Sequence, residues 1–513
     1  MSAAATPSGP DLAAGIPLSD LPEGETIRGH VGNKAVLLAH TREGLHAVGA
    51  RCPHYGAPLD EGRIVGDTLR CPWHHACFAL GSGEALGAPA LDDLPRWRTE
   101  VVDDRVFVRE AVGGGAPRRP ARSPASVVIV GGGAAGEAAA ETLRREGYAG
   151  PVTILSEDPA PPCDRPNLSK DYLAGKAKAE WIPLRGDDFY ARHDITLRLG
   201  TAVASIEPDA SRVHLADGGA LDYGALLLGT GAEPVRLAVP GAESPQVHYL
   251  RSLADSEAII AAVEAGARRA VVVGASFIGL EVAASLRSRG LEVRVVAPEA
   301  RPLARIMGDV LGDFVRALHE SKGVSFHLGR AVSAITDRAV ELDDGTRLDA
   351  DLVVVGIGVR PRTALAEAAG LDVEDGILVD DSLETRVPGI YAAGDAARWP
   401  DPVSGEHVRI EHWVVAQRQG QRAARHMLGV GEARPAVPFF WSEHYGIGIN
   451  YVGHAPTWER IETDGDPAAH DFTARFLAGG HPLAVATIFR DRESLAAEAE
   501  LEARYAGTGD RRR

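Results

Sequence analysis

The chain is poor in several things that would each mark a definite class. It has four cysteines in 513 residues, too few for a disulfide-stapled extracellular scaffold. No apolar run approaches the ~20 residues that span a bilayer; the longest, AVVVGASFIGLEVAASL, is broken by glycine and by Glu281. Positive charge is also short. The 54 Lys and Arg against 71 Asp and Glu leave a formal charge of −17, which disfavours a nucleic-acid partner. The opening stretch MSAAATPSGPDLAAG holds no basic residue and no apolar core, so neither a secretory signal nor a transit peptide is expected. A soluble, cytoplasmic, multidomain protein is the expectation, because a chain of this length exceeds what one hydrophobic core supports.

What is present begins with two short loops. RCPHYGAPL (51–59) sets Cys52 and His54 one residue apart, and RCPWHHACF (70–78) sets Cys71 and His74 two residues apart. One such pair would be an ordinary satisfied loop; two, each on a Cys-Pro step, point to a metal. Zinc accepts two Cys and two His. Zinc-finger loops, however, pair Cys with Cys and His with His, whereas each loop here offers one thiolate and one imidazole. That suits a [2Fe–2S] centre with two thiolates on one iron and two imidazoles on the other. His75 competes for the fourth position, and the spacing favours His74. The stretch resembles the Rieske cluster motif. High-potential Rieske proteins carry a Ser and a Tyr after the second His and a disulfide between the loops. The resemblance puts Ala76 and Phe78 in those places, and Cys77 has no obvious partner, so a low-potential cluster is expected with Cys77 a small buried residue.

Residues 12–110 read as short strands between turn signals, a small β domain. AVGGGAPRRPARSPAS crowds Gly, Pro, Ala and Arg and reads as an exposed linker, 111–125, long enough for the first domain to swing or dock. SVVIVGGGAAGEAAAETLRREG then runs a buried strand into Gly131-x-Gly133-x-x-Gly136 and a helix. Between strand and helix such a triplet is a dinucleotide fingerprint, because glycine lets the backbone approach a pyrophosphate at the helix N-terminus. The next strand ends on Glu157, 21 residues past Gly136, where an acid would bind a ribose hydroxyl; a solvated strand-end charge is the alternative. The unit recurs in RRAVVVGASFIGLEVAASLRSRGLEVRVVAPE (268–299), with Gly274, Gly279 and Ser276 at the middle glycine position. Two units imply two nucleotides. Further on, PGIYAAGDAARW places Gly394-Asp395 after a strand, where the Asp can accept from a ribityl hydroxyl and the following helix can face a pyrophosphate.

With these markers in place, residues 125–505 resemble the FAD-dependent pyridine-nucleotide oxidoreductases of the ferredoxin-reductase and apoptosis-inducing-factor branch. The resemblance rests on CDRPNLSKDYLAG (163–175), GIGVRP, AAGDAA and FFWSEHYG (439–446). It implies a multidomain fold: an N-terminal all-β Rieske domain (12–110), two doubly wound, Rossmann-like α/β domains, for FAD (126–245 and 371–432) and NAD(P) (246–370), and a C-terminal α+β domain (433–513). It implies that Gly131, Gly133, Gly136, Glu157, Arg165, Lys170, Gly394 and Asp395 contact FAD. It sets Gly274, Gly279, Glu281, Glu299 and Gly358 around NAD(P)H. Lys170 and Glu281 match a pair near the flavin, where a cation would help hold charge on the reduced ring; an ordinary interdomain ion pair is the alternative. Trp413 would face flavin or nicotinamide, or else fill the core.

Departures from the family pattern matter. Cys163 stands where a Tyr is usual, and no second cysteine lies a few residues away, so thiol–disulfide chemistry is not expected. In VRVVAPEARPL, Ala297 takes the place of the usual NAD-selective acid, with Glu299 two residues on and Arg301 after it. A carboxylate there would repel a 2′-phosphate, so NADH is the expected donor. The expected activity is an NAD(P)H oxidoreductase passing electrons through FAD to a Rieske cluster and on to a ferredoxin or oxygenase. A small-molecule acceptor and a redox-gated signalling protein are the rival readings, and a homodimer is the candidate assembly.

Overall fold

Short strands rich in Val, Leu and Ala open the chain and pair into two antiparallel sheets, as half-buried strands of this composition do. In the computed structural model, which describes residues 8–113, 119–401, 404–430 and 437–509, a six-stranded sheet takes the order Ile16–Pro17, Arg105–Val112, Arg96–Val102, Gly44–Gly49, Lys34–Thr41, Thr26–Val31. A smaller four-stranded sheet follows, Arg63–Val65, Thr68–Arg70, Cys77–Ala79, Ala85–Gly87. The two Cys–His loops precede and interrupt this smaller sheet.

Two all-parallel five-stranded sheets come next. Their strands VVIV (Val127–Val130), ALLL (Ala225–Leu228) and LVVV (Leu352–Val355) are buried at every position, as strands covered by helices on both faces must be. The first sheet runs Ile195–Arg198, Val152–Leu155, Val127–Val130, Ala225–Leu228, Ile390–Ala392. Its last strand arrives after the whole second sheet has been built, so the first unit is assembled from two stretches of chain. The second runs Val247–Tyr249, Leu352–Val355, Arg269–Val273, Glu292–Ala297, Ser325–Leu328. A five-stranded antiparallel sheet, Phe439–His444 to Asp471–Ala478 and His481–Ile488, and the helix Asp491–Gly509 close the chain.

The N-terminal sheets are held against the rest by polar contacts, the group around Glu498 being buried. Arg70 pairs with Glu502 at 2.8 Å and with Glu498 at 3.4 Å, both on the last helix. Glu498 also meets His75 Nδ1 at 3.0 Å and Arg418 at 3.1 Å. Arg185 joins Asp92 to Glu137, at 2.8 Å each, and Tyr55 donates to Asp164. Residues 114–118 of the expected linker lie outside the described residues. Its described end is tied down: the Arg122 N–H donates to Leu428 O and the Tyr148 hydroxyl to Pro124 O. The arrangement is therefore docked.

Candidate active site

The two Cys–His loops share one backbone plan. Cys52 N–H donates to Ala57 O and Cys71 N–H to Ala76 O, both at 2.9 Å; Cys52 O accepts from Gly56 and Cys71 O from His75. Gly56 and His75 occupy matching turn positions with φ +78° and +59°. The left-handed turn sends the His75 ring away, onto Phe439 with 4.0 Å between ring centroids and onto Glu498. His74 instead brings its Nδ1 to 3.2 Å from His54 Nδ1. The backbone thus brings His74, and not His75, to His54.

The donor set fits a [2Fe–2S] cluster. Cys52 and Cys71 are buried and hydrogen-bonded to each other, which pulls the Cys52 thiol below its ordinary pKa; the amides of His54 and Tyr55 add to this. Burial holds the His54 imidazole down to about 4, and burial followed by His54, His75 and Lys170 holds His74 well below the usual range. Two neutral imidazoles whose Nδ1 atoms lie 3.2 Å apart are a pair that an iron could accept as ligands.

The first glycine turn is built for close approach. A Cβ on Gly136 would sit 2.0 Å from Gly131 O, and one on Gly131, at φ +113°, would sit 2.1 Å from Gly229 O. The second turn repeats this: Gly279 against Gly274 O at 2.3 Å, and Gly274, at φ +111°, against Gly356 O at 2.2 Å. Gly133 caps the helix Ala134–Arg145 and, with Arg165, Arg251, Gly394 and Asp395, lines an open cleft of about 1120 Å³. Burial, then the neighbouring Arg251 guanidinium, pulls the Arg165 pKa down. Two guanidiniums beside a helix N-terminus make an anion site, so the cleft fits a dinucleotide pyrophosphate. Arg251, bonded to Asp395 at 2.7 Å, was not anticipated from sequence, because its partner lies 144 residues away.

Lys170 and Glu281 meet in the same cleft at 2.9 Å. Glu281 belongs to the helix Phe277–Ser288 that follows the second glycine turn. The second nucleotide unit therefore reaches into the first unit's cleft, together with Phe277 and Ile278. Trp413 lines the cleft as the first residue of the helix Trp413–Met427 while also packing on the core. Glu157 is exposed at the end of its strand and pairs with Arg362 at 2.8 Å. Glu299 and Gly358 lie away from the cleft wall; Gly358 has φ +111°. Arg301 is bound to Asp313 at 2.8 Å and Asp309 at 3.4 Å. Cys163 is buried, and burial pushes its thiol up to about 11, so it is no thiolate nucleophile.

Trp441 joins the two centres. It lines the cleft, its ring centroid lies 4.2 Å from that of His74, and Lys170 Nζ stands 5.9 Å over its ring. The sequence offered FFWSEHYG as a marker, but nothing in it tied Trp441 to a loop 367 positions earlier.

Paired nucleotide cradles, an ion pair between them and a thiolate–imidazole clip alongside define a flavin-dependent pyridine-nucleotide oxidoreductase with a Rieske domain. Family models match accordingly: pyridine nucleotide-disulphide oxidoreductase over residues 125–420, Rieske [2Fe-2S] domain over 14–98 and reductase C-terminal over 439–510. The chain belongs to the pyridine nucleotide-disulphide oxidoreductase family. It is 32% identical to apoptosis-inducing factor 3 of Homo sapiens over 93% of this chain and 82% of that one. It is 39% identical to the anthranilate 1,2-dioxygenase system ferredoxin–NAD(+) reductase component of Burkholderia cepacia, over 71% of this chain and 91% of that one. The covalent putidaredoxin reductase–putidaredoxin complex superposes with a TM-score of 0.71 at 39% identity, covering 74% of this chain and 93% of the reductase chain. The cofactors are FAD and a Rieske [2Fe–2S] cluster, with NAD(P)H as substrate. Among the described residues no helix is long and apolar enough to cross a membrane.

Proposed function

We propose that this chain takes a hydride from NADH and delivers the two electrons singly, through its own Rieske domain, to a ferredoxin or oxygenase component. The observation that carries this is Trp441, in contact with His74 on one side and with the Lys170–Glu281 cleft on the other. When bound, FAD supplies two-electron acceptance with one-electron release, and the cluster supplies a one-electron relay.

The residues do the rest. Gly131, Gly136 and the Ala134–Arg145 helix admit a pyrophosphate, and Arg165 and Arg251 neutralise it. Gly274 and Gly279 do the same for the nicotinamide dinucleotide. Lys170, held by Glu281, puts a fixed positive charge where negative charge arrives. Arg301 is occupied by Asp309 and Asp313, and Glu299 lies two positions before it; this supports NADH over NADPH. Cys52, His54, Cys71 and His74 hold the cluster. Ala76 and Phe78 offer no hydroxyl to it, which supports a potential at the lower end of the roughly −150 to +300 mV Rieske range.

Half-exposed Tyr55 and Trp73, at 42% and 39%, flank the two histidines and give an external acceptor an edge to meet. Ligand thiolates suit a reducing cytoplasm. His74→Ala should leave the visible absorbance of the flavin bleachable by NADH and abolish reduction of a protein acceptor. If stopped-flow absorbance shows that acceptor reduced at the parent rate, the Rieske domain is not the outlet.

A further inference from the structure

Behind the Lys170–Glu281 pair runs a line of polar side chains that the reading above does not use. Glu281 accepts from Ser169 Oγ at 2.5 Å on one oxygen and from Ser442 Oγ at 2.6 Å on the other. Ser442 Oγ lies 3.1 Å from His444 Nε2. His444 Nδ1 lies 3.2 Å from His319 Nε2, and His319 Nδ1 lies 3.3 Å from the Tyr445 hydroxyl. Ser442, His444 and His319 are 0% exposed; Tyr445 is half-buried and the next residue, Gly446, is exposed. Three elements contribute: the helices Phe277–Ser288 and Ala304–Ser321 and the strand Phe439–His444.

The Leu280 carbonyl also accepts from the His444 ring; along the line itself one assignment of hydrogens satisfies each contact. A carboxylate only accepts, so the Ser442 O–H donates to Glu281. The Ser442 oxygen then accepts from His444 Nε2–H. A neutral His444 ring leaves Nδ1 bare, to accept from His319 Nε2–H, and His319 Nδ1 accepts from the Tyr445 O–H. Burial holds both rings in that neutral form, His444 down to about 3 and His319 well below the usual range. The His319 imidazole sits beside Phe326, where an unpaired polar group is costly. The line is continuous, and every donor points toward Glu281.

We propose that Tyr445, His319, His444 and Ser442 form a proton relay that loads the Glu281 carboxylate from the surface. This deepens the proposed function and rests on its placing Lys170 and Glu281 at the hydride-accepting end of the cleft. An arriving hydride adds one negative charge there. One proton then moves one place inward along each bond: water to Tyr445, Tyr445 to His319 Nδ1, His319 Nε2 to His444 Nδ1, His444 Nε2 to Ser442, Ser442 to Glu281. Glu281 becomes neutral, and the charge of Lys170 is released to face the new negative charge. The shift reverses every donor, so the relay is now set to carry the same proton outward once the electrons have left. Over a turnover the balance stays NADH to NAD⁺, one H⁺ and two electrons, since the relay proton goes in once and out once. These are positioning and proton-carrying residues; none touches the nicotinamide.

The test is anaerobic stopped flow of the full chain with NADH in weak buffer containing a pH indicator. The parent should take up one proton per flavin in phase with bleaching. His444→Gln keeps a donor toward Ser442 and an acceptor toward His319 but cannot release a proton; Tyr445→Phe removes only the outer hydroxyl. Both should lose the in-phase uptake, with kcat for dye reduction down about tenfold and the KM for NADH within about twofold. Independently, ¹⁵N spectra of histidine-labelled protein, compared with those of His444→Gln, should show His319 and His444 neutral with hydrogen on Nε2. In-phase uptake retained in His444→Gln, or either ring charged in the resting protein, overturns the relay. A parent that bleaches without taking up a proton overturns the relay alone; a parent that NADH does not bleach overturns the functional reading with it.

Discussion

Trp441 is a single side chain that reaches both the cysteine–histidine loops and the cleft. Its ring meets His74 and borders the cleft that holds Lys170 and Glu281. Trp441→Leu removes the aromatic bridge while keeping an apolar filler. In stopped flow it should slow cluster reduction far more than it slows flavin bleaching; equal slowing of both would mean that Trp441 serves only the cleft. At this scale legibility in the sequence was uneven. Cys52, His54, Cys71 and His74 stood out because metal ligands need fixed local spacing, and the structure gathers them in two facing loops. The preference for His74 over His75 has its reason in a turn at φ +59° and a glutamate on the last helix. Trp441, Arg251 and the His319–His444 contact carried no local signal, since each depends on a partner far along the chain. Glu157 had the right spacing from the glycine turn, yet its carboxylate is turned to Arg362.

The glycine turns and the last helix are the elements that decide assembly. Gly136→Ala puts a methyl 2.0 Å from Gly131 O, so the turn must open. The purified variant should lack bound FAD by its visible spectrum yet retain the iron–sulfur absorbance and acid-labile sulfide, since the cluster loops belong to a separate sheet. Bound FAD at the parent level would show that the turn relaxes without loss. On the last helix, burial alone would raise the Glu498 carboxyl, but His75, Arg418 and Arg70 hold it far below the usual range. Its folded pKa is depressed, so its contribution is present above the ordinary carboxylate value and is lost as pH falls through the folded value. Glu498→Ala leaves Arg418 and His75 without their anion and Arg70 with Glu502 alone, a loss on the order of 3–5 kcal/mol. The Rieske domain should come away from the rest: small-angle scattering should show a larger radius of gyration and stopped flow a slower cluster reduction. Unchanged scattering would mean that Arg185 and Tyr55 suffice. The strands and helices of the nucleotide units were legible because VVIV, LVVV and the glycine turns are local patterns. The docking was not, because it is written in charges on opposite ends of the chain, Arg70 with Glu498 and Glu502.

At the scale of the whole molecule, the docked Rieske domain occupies the side of the flavin cleft marked by Trp441. The domain that the linker composition left free to swing is fixed by ion pairs that burial protects from screening. The chain thus has the order donor site, cleft, tryptophan, cluster, exposed aromatic edge. Anaerobic titration with NADH, followed together by visible absorbance and electron paramagnetic resonance, tests that order directly. The Rieske signal should grow as NADH is added and should depend on bound FAD, and a Gly136→Ala protein with its cluster intact should give no signal on the same timescale. A cluster reduced by NADH at the parent rate in FAD-free protein, or never reduced in the complete one, would contradict it.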